Sequence, residues 1–379
     1  MGRFGDGIGV SSDLVEAAET AVAAALAPLH GRVPDLAAVF VAGPNPEVAG
    51  ERALKLTGAA TTLGCSAGGV LGAGLGVEGT SAVSVWVAVL PGVTLRSFHL
   101  EVLPSDDRAA VVGMPEVDDS GDELAVLLAD PFSFPVEGFV GQAAAALPRL
   151  PFVGGVAHGA AGPGSTRLWV DGRTVDRGAV GVLVQGASAR PLVSQGCRPI
   201  GPAMTVTSAA GNVVHGLAGM PALEKVRAVL STLPPPEQAM ASVGLHLGIA
   251  ADEYAHDHDY VVRSIVGTEG DALVVGDLVQ TGQTVRLQVR DAVAADADLR
   301  ASLARDPGPP GGGALLFSCN GRGAALFGPS FEGASHDVCA VRDVLAADAV
   351  AGFFAGGEIG PVAGRSHLHG FTASMAIFS

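Results

Sequence analysis

Three short stretches of this chain hold residue types from which chemistry could be built. Gly64-Cys65-Ser66-Ala67-Gly68 has the spacing of a nucleophile elbow, where a serine on a strained strand-to-helix turn is exposed for attack. An apolar run precedes it, as an elbow needs. The next residues, Gly69-Val70-Leu71-Gly72-Ala73-Gly74-Leu75-Gly76, are too rich in glycine for a dependable helix. The same stretch also suits a tight turn whose Ser66 hydroxyl satisfies backbone or lines a ligand. Phe317-Ser318-Cys319-Asn320-Gly321-Arg322-Gly323 closes an apolar strand, the place where α/β sheets put ligands. There Cys319 is a candidate nucleophile, Asn320 a two-way hydrogen bonder and Arg322 an anion clamp. A catalytic cysteine needs a base, and His336-Asp337 comes next in sequence. A small buried cysteine beside a turn asparagine is the competing reading, with the stretch kept as a ligand wall. In Gly352-Phe353-Phe354-Ala355-Gly356-Gly357-Glu358-Ile359-Gly360, Glu358 could receive an amino group, pair with Arg365 or cap a turn.

The first and third stretches share Ala-Gly-Gly after an apolar run. Turns this poor in side chains let a ligand approach the backbone. His367 and His369 fall on one strand face by alternation and could hold a metal with Glu358, but no third strong ligand is near in sequence. His256-Asp257-His258-Asp259 sits among Asp252, Glu253 and Tyr254, which reads as a solvated surface loop. No metal or cofactor is expected.

Composition bounds the rest. The 379 residues are 48% hydrophobic and 16% charged, which favours large cores over disorder. A net charge of −16 argues against a nucleic-acid backbone or an anionic membrane as partner. No apolar run reaches the roughly 18–20 residues of a membrane span. The start has one basic residue and no apolar signal core, and the four cysteines show no CxxC spacing; a cytoplasmic protein with reduced thiols is expected.

The pattern predicts helices over 13–27, 46–56, 136–147, 221–230, 292–304 and 336–346. It predicts strands over 37–42, 60–64, 82–90, 93–102, 124–129, 152–156, 167–171, 179–185, 192–196, 203–208, 213–217, 314–318, 350–355 and 371–378. The acidic stretch at 104–123, with Asp106, Asp107, Asp118 and Asp119, reads as a solvated loop. Strand, helix, strand and glycine turn come twice before residue 156, the second time ending at Gly154-Gly155. An α+β (mixed α/β) fold is expected, as two related halves with mixed or largely antiparallel sheets flanked by helices. The halves are 1–188 and 189–379.

The order of the C-terminal motifs resembles that of the C-terminal FIST domain: 317–323, the phenylalanines around Gly328-Pro329, His336-Asp337, 352–361 and His369-Gly370-Phe371-Thr372. Gly64 to Gly69 resembles the matching turn of the N-terminal FIST domain. Cys197-Arg198-Pro199-Ile200-Gly201-Pro202, Val206-Thr207 and Gly219-Met220-Pro221-Ala222-Leu223 fit the start of the C-terminal part. The resemblance implies a bacterial sensory protein of signal transduction that binds a small ligand, with amino acids a suggested class. Cys65, Ser66, Gly68, Gly69, Cys319, Asn320, Arg322, Gly357 and Glu358 would line the site. Val70 stands where the family often has an acidic residue. No kinase, cyclase or F-box segment is recognised, so output through a separate signalling protein is expected. The alternatives are a hydrolase or acyl-transfer enzyme using Ser66 or Cys319, and a non-catalytic interaction scaffold.

Overall fold

The computed structural model describes residues 2–103, 110–117, 121–186, 189–251 and 260–379. Asp106, Asp107, Asp118 and Asp119 of the acidic stretch, Ser188 at the expected division, and His256 to Asp259 lie outside the described residues. Two compact units form. One is Met1–Ser194, Leu299–Leu368 and Thr372–Ser379; the other is Gln195–Asp298 and His369–Phe371. The division at 188/189 is a different partition, of halves along the sequence, and stands as a proposal.

The chain opens with β1 (Arg3–Val10), α1 (Leu14–Leu26), β2 (Leu36–Ala42), α2 (Glu47–Thr57), β3 (Thr61–Ala67), β4 (Gly69–Gly72), β5 (Leu75–Glu78) and β6 (Ala82–Val89). A second set comes next: β7 (Thr94–Leu103), β8 (Ala110–Val112), β9 (Glu123–Ala129), α3 (Val136–Ala146), β10 (Phe152–Val156), β11 (Leu168–Val170), β12 (Arg173–Val175) and β13 (Ala179–Gln185). After β14 (Arg190–Ser194) the smaller unit intervenes in sequence. It holds β15 (Cys197–Ala210), β16 (Val213–Leu217), β17 (Met220–Pro221), α4 (Ala222–Thr232), α5 (Pro235–Val243), β18 (Leu245–Ala250), β19 (Tyr260–Glu269), β20 (Ala272–Val275) and β21 (Thr284–Arg290). Helix α6 (Ala292–Ala304) precedes β22 (Gly313–Cys319), α7 (His336–Leu345), β23 (Ala349–Ala355), β24 (Glu358–Val362), β25 (Arg365–His369) and β26 (Ala373–Phe378).

Mixed and antiparallel sheets with helices make this an α+β fold, and the relatedness expected of two halves extends to three repeats in the larger unit. Its sheets contain β1-β6-β2-β3, β7-β13-β9-β10 and β14-β26-β22-β23 as successive neighbours. In each, the central pair is parallel (β2/β3, β9/β10, β22/β23) and a helix joins its members. The hairpin after each parallel pair leaves its own sheet. Strand β4 pairs with β23 (Leu71↔Gly352), β11 with β3 (Trp169↔Gly64), and β24 with β10 (Ile359↔Gly154). Each repeat therefore lends one hairpin and borrows another, and the exchange closes on itself.

Strands β2, β9, β22 and β23 are buried along their whole length, which explains their largely apolar sequences. Alternate side chains enter one shared core: Phe40, Leu128, Phe317 and Phe353 belong to it, with Phe40 and Phe353 ring centroids 5.2 Å apart. The other face of each sheet is covered by its helices, α1 and α2 on Val39 and Val85, α3 on Leu127, and α7 on Leu316. Strand β1 carries no apolar run and is absent from the sequence expectation. Its alternating Gly5, Gly7 and Gly9 are the reason it forms where it does: a Cβ at each would stand 2.0–2.1 Å from carbonyl oxygens of α1.

In the smaller unit, β15-β21-β18-β19-β20-β16 closes through β15–β16 pairing around Val206, Leu247, Val285 and Leu287. Strand β15 starts at Cys197, ahead of the strand predicted at 203–208, and accommodates Gly201-Pro202 in an irregularity between Ile200 and Met204. Pro235 and Pro236 open α5 as well as ending the preceding helix, since proline fits a first helical turn.

The glycines opposite the borrowed hairpins should be the most sensitive positions in the core. A Cβ at Gly352 would stand 1.6 Å from the Leu316 carbonyl oxygen. Gly352→Ala is therefore expected to cost more than about 3 kcal/mol. Gly141, inside α3 with nothing near its missing Cβ, should gain about 0.5–1 kcal/mol on change to alanine. Urea unfolding of both variants checks this.

Candidate functional site

The third strand of every repeat ends in one pattern, Gly-x-x-Ala-x-Gly: Gly64 to Gly69, Gly154 to Gly159, and Gly352 to Gly357. Two members stand out in the sequence through Ala-Gly-Gly. The third is easily missed because His158 occupies the middle of Ala157-His158-Gly159, and because Gly154-Gly155 lies within β10 instead of forming a turn. The leading glycine is structural each time. A Cβ there would meet the carbonyl of the neighbouring parallel strand, Val39 at 2.3 Å, Leu127 at 1.8 Å and Leu316 at 1.6 Å.

The three ends converge on His158. A Cβ at Gly68 would lie 3.1 Å from its Cδ2, and one at Gly356 would lie 3.5 Å from its Cβ and Nδ1. The Asn320 side-chain nitrogen sits 3.3 and 3.1 Å from the two ring nitrogens. Backbone links tie the ends together: Val156 N–H donates to Gly357 O and Gly356 N–H to Val156 O. Beside this junction is a cavity of about 650 Å³ lined by Asn45, Glu47, Ser66, His158, Ser165 and Arg167 among others.

Ser66 lines that cavity, but not on an elbow. Strand β3 runs through it, and β4 comes after Gly68 where an elbow needs a helix. The Ser66 Oγ accepts from Arg167 N–H at 3.0 Å, the backbone-satisfying role open to a serine in such a place. Cys65 points into the shared core, where burial pushes its thiol well up. Gly69 is buried against the Val77 carbonyl and the Phe354 ring.

A second set of groups gathers at the ends of β22 and β24. Arg322 is 1% exposed and forks onto Asp337, Nε to Oδ2 at 2.8 Å and Nη2 to Oδ1 at 2.9 Å. Ser318 Oγ donates to Asp337 Oδ2 at 2.6 Å, and His336 Nδ1 is 2.8 Å from Oδ1. The His336 ring stacks on Phe327 at 3.5 Å. Burial alone would raise the Asp337 carboxyl, but the Arg322 guanidinium and His336 hold it well below the usual range. His336-Asp337 is thus the support of Arg322, and Arg322 is an anion clamp already engaged on two of its nitrogens.

Glu358 is 0% exposed. Its Oε2 accepts from Thr372 N–H at 3.1 Å and Thr372 Oγ1 at 2.9 Å. Burial pushes its carboxyl up to about 8, against the opposing pull of Thr372, the hydrogen-bonded Cys319 thiol and Arg322. Among the described residues, Glu358 Oε1 and Arg322 Nη1 have no hydrogen-bond partner. Cys319 Sγ is 3.6 Å from Asn320 Oδ1 and accepts from Gly321 N–H at 3.5 Å. Cysteine, asparagine and histidine are thus adjacent, but with the amide in the middle. A neutral amide is a poor proton relay, so Asn320 is no bridge from thiol to imidazole.

The structure therefore brings Cys319, Asn320, Arg322 and Glu358 together, and brings Ser66 and Gly68 to the same junction through His158. Among the described residues no group of three or more His, Cys, Asp or Glu is placed to hold a metal. No helix among them is long and apolar enough to cross a membrane.

The larger unit is thus a set of α+β repeats with polar groups gathered at strand ends. The chain belongs to the FIST family: residues 35–220 match the FIST N domain and 222–361 the FIST C domain. FIST domains are generally described as sensory small-ligand-binding domains in signal transduction. An uncharacterized protein of Mycobacterium tuberculosis (strain ATCC 25618 / H37Rv) is 39% identical over 388 aligned positions, covering 99% of both chains. One of Mycobacterium bovis (strain ATCC BAA-935 / AF2122/97) is 37% identical, covering 99% of this chain and 98% of its own.

Removing one partner of the buried ion pair should be costly. Asp337→Asn is expected to lose about 3–5 kcal/mol, read by urea unfolding. Glu358 gives a pH signature. Its folded value lies above the ordinary carboxyl value, so the folded chain keeps a proton the unfolded chain has released. The Glu358 contribution to stability should fall as pH rises from about 4.5 to about 8 and level off above. Glu358→Gln should remove that decline in melting temperature.

Proposed function

We propose that this chain is an intracellular sensor of a small polar metabolite, with amino acids the favoured class, acting on a separate signalling protein. The observation that carries the reading is the pair of fully buried atoms Glu358 Oε1 and Arg322 Nη1. One is an acceptor and the other a donor, within electrostatic reach of each other. A molecule carrying both an ammonium and a carboxylate complements such a pair, because leaving buried polar groups unmatched is costly. Asn320 and His158 orient the ligand between this inner end and the cavity beside Ser66. The Ser66 hydroxyl and the backbone around Gly68, Gly69 and Gly357 complete the wall, with Cys319 at its edge and Cys65 behind it in the apolar core. The glycines let the ligand reach the backbone.

Glu358 must lose its proton to meet an ammonium. Affinity for an amino acid should therefore rise about tenfold per pH unit below about 8 and flatten above it. A thermal-shift screen of amino acids, followed by calorimetry at several pH values, tests this. A ligand at 100 times its dissociation constant should stabilise by about 2.7 kcal/mol. Glu358→Gln should abolish both the binding and its pH slope. Unchanged affinity in that variant rejects the ammonium contact.

A further inference from the structure

We infer that Cys319, with Glu358 as its proton partner and Arg322 as its anion donor, forms a reversible covalent adduct with a short 2-oxo acid, of which glyoxylate is the simplest. The inference rests on the reading that this site admits a small metabolite, and it changes the class of occupant from amine to carbonyl.

Three groups meet here with different chemical capacities. Cys319 supplies sulfur at the end of β22, and its side chain is hydrogen-bonded to the Glu358 carboxyl. Glu358 supplies a carboxyl with one oxygen fixed by Thr372 and the other, Oε1, buried without a partner among the described residues. Arg322 is anchored through Nε and Nη2, leaving buried Nη1 for an incoming anion. Burial favours the neutral form of Glu358, and a neutral carboxyl can give a proton from one oxygen while taking one on the other. That is what thiol addition to a carbonyl requires. The sulfur attacks the carbonyl carbon and an S–C bond forms. The C=O π bond opens onto oxygen, one Glu358 oxygen takes the thiol proton, and the other gives its proton to the new hydroxyl. The product is a hemithioacetal, with no net change in charge, no leaving group and no oxidant. The reverse path regenerates thiol and carbonyl, as a reporter of metabolite level needs. Arg322 Nη1 would hold the carboxylate next to the reacting carbon. With Cys319 only 6% exposed, short molecules are selected.

Two of the other cysteines, Cys65 and Cys339, lack this setting. Cys65 is in the apolar core, and the Cys339 thiol, which donates to the Gly74 carbonyl at 3.2 Å, is pushed up to about 11 by burial and Glu332.

The test uses the full chain and glyoxylate labelled with ¹³C at the aldehyde carbon. Carbon NMR should show one protein-bound hemithioacetal signal that disappears on dilution, and glyoxylate should protect Cys319 from iodoacetamide in peptide mass spectrometry. Cys319→Ser should lose the signal and Cys339→Ala should keep it. Glu358→Gln should slow adduct formation by about 100-fold. Acetaldehyde, which lacks the carboxylate, should bind at least about tenfold more weakly. A signal that persists in Cys319→Ser, or no signal from folded parent protein at millimolar glyoxylate, overturns the inference. Amino-acid binding is read separately by calorimetry on Cys319→Ser. Binding there without an adduct in the parent leaves the sensor reading standing and removes this one; an adduct without amino-acid binding does the reverse.

Discussion

Pairing between a lent hairpin and a foreign third strand is the interaction on which the larger unit depends. Without it, β3, β10 and β23 would each end their sheet on an open edge of backbone donors and acceptors. With it, each edge is covered by another repeat, and side-chain contacts lock the exchange. Asp6 Oδ2 accepts from Ala73 and Val350 N–H at 2.9 and 3.0 Å and from Arg342 at 2.6 Å. It thereby holds the first repeat, the turn of its lent hairpin and the receiving strand β23. Asp171 does comparable work by accepting from Thr62 N–H, and Ser366 by accepting from Phe152 N–H. These contacts are short polar links at the margins of a core that is otherwise apolar.

Near-symmetry also explains where chemistry can occur. The strand ends start from one template, so side chains that depart from it stand alone among glycine and alanine. His158 does so in the second repeat, where its counterparts Gly68 and Gly356 carry no side chain. Glu358 does so in the third, where the equivalent hairpin positions are Val70 and Leu168. Arg322 is affordable inside only because Asp337, Ser318 and His336 surround it with matched partners. A buried ion pair of this kind adds little net stability, but it fixes geometry.

The sequence made some of this legible and hid the rest for physical reasons. The helix predicted over 13–27 forms as α1, with the Asp13 side chain accepting from Val15 N–H at its start. The apolar runs of β2, β9 and β22 declared strands buried on both faces. The gathering of Cys319, Arg322 and Glu358 was legible as candidates but not as neighbours, since β22 and β24 belong to different sheets of one repeat. The glycines after Gly68 already argued against the helix an elbow needs, and β4 forms there instead. Hairpin exchange was invisible, because Leu71 and Gly352 bear no complementary pattern; backbone hydrogen bonds join them, and every residue has those. The third repeat was masked by the smaller unit, which separates β14 from β22 in sequence.

The order in which the hairpins find their hosts is set by synthesis. Strand β11 meets β3 after it has already been made, and β24 likewise meets β10. Strand β4 is the exception, since its host β23 lies near the far end of the chain. At ordinary translation speeds the wait is on the order of tens of seconds. Throughout that interval the ribosome carries a nascent ring with one apolar hairpin unhoused and one edge missing. Such contacts, distant along the chain, are slow to form, so the edge of β23 and the β4 hairpin close last, after the C-terminal repeat has emerged.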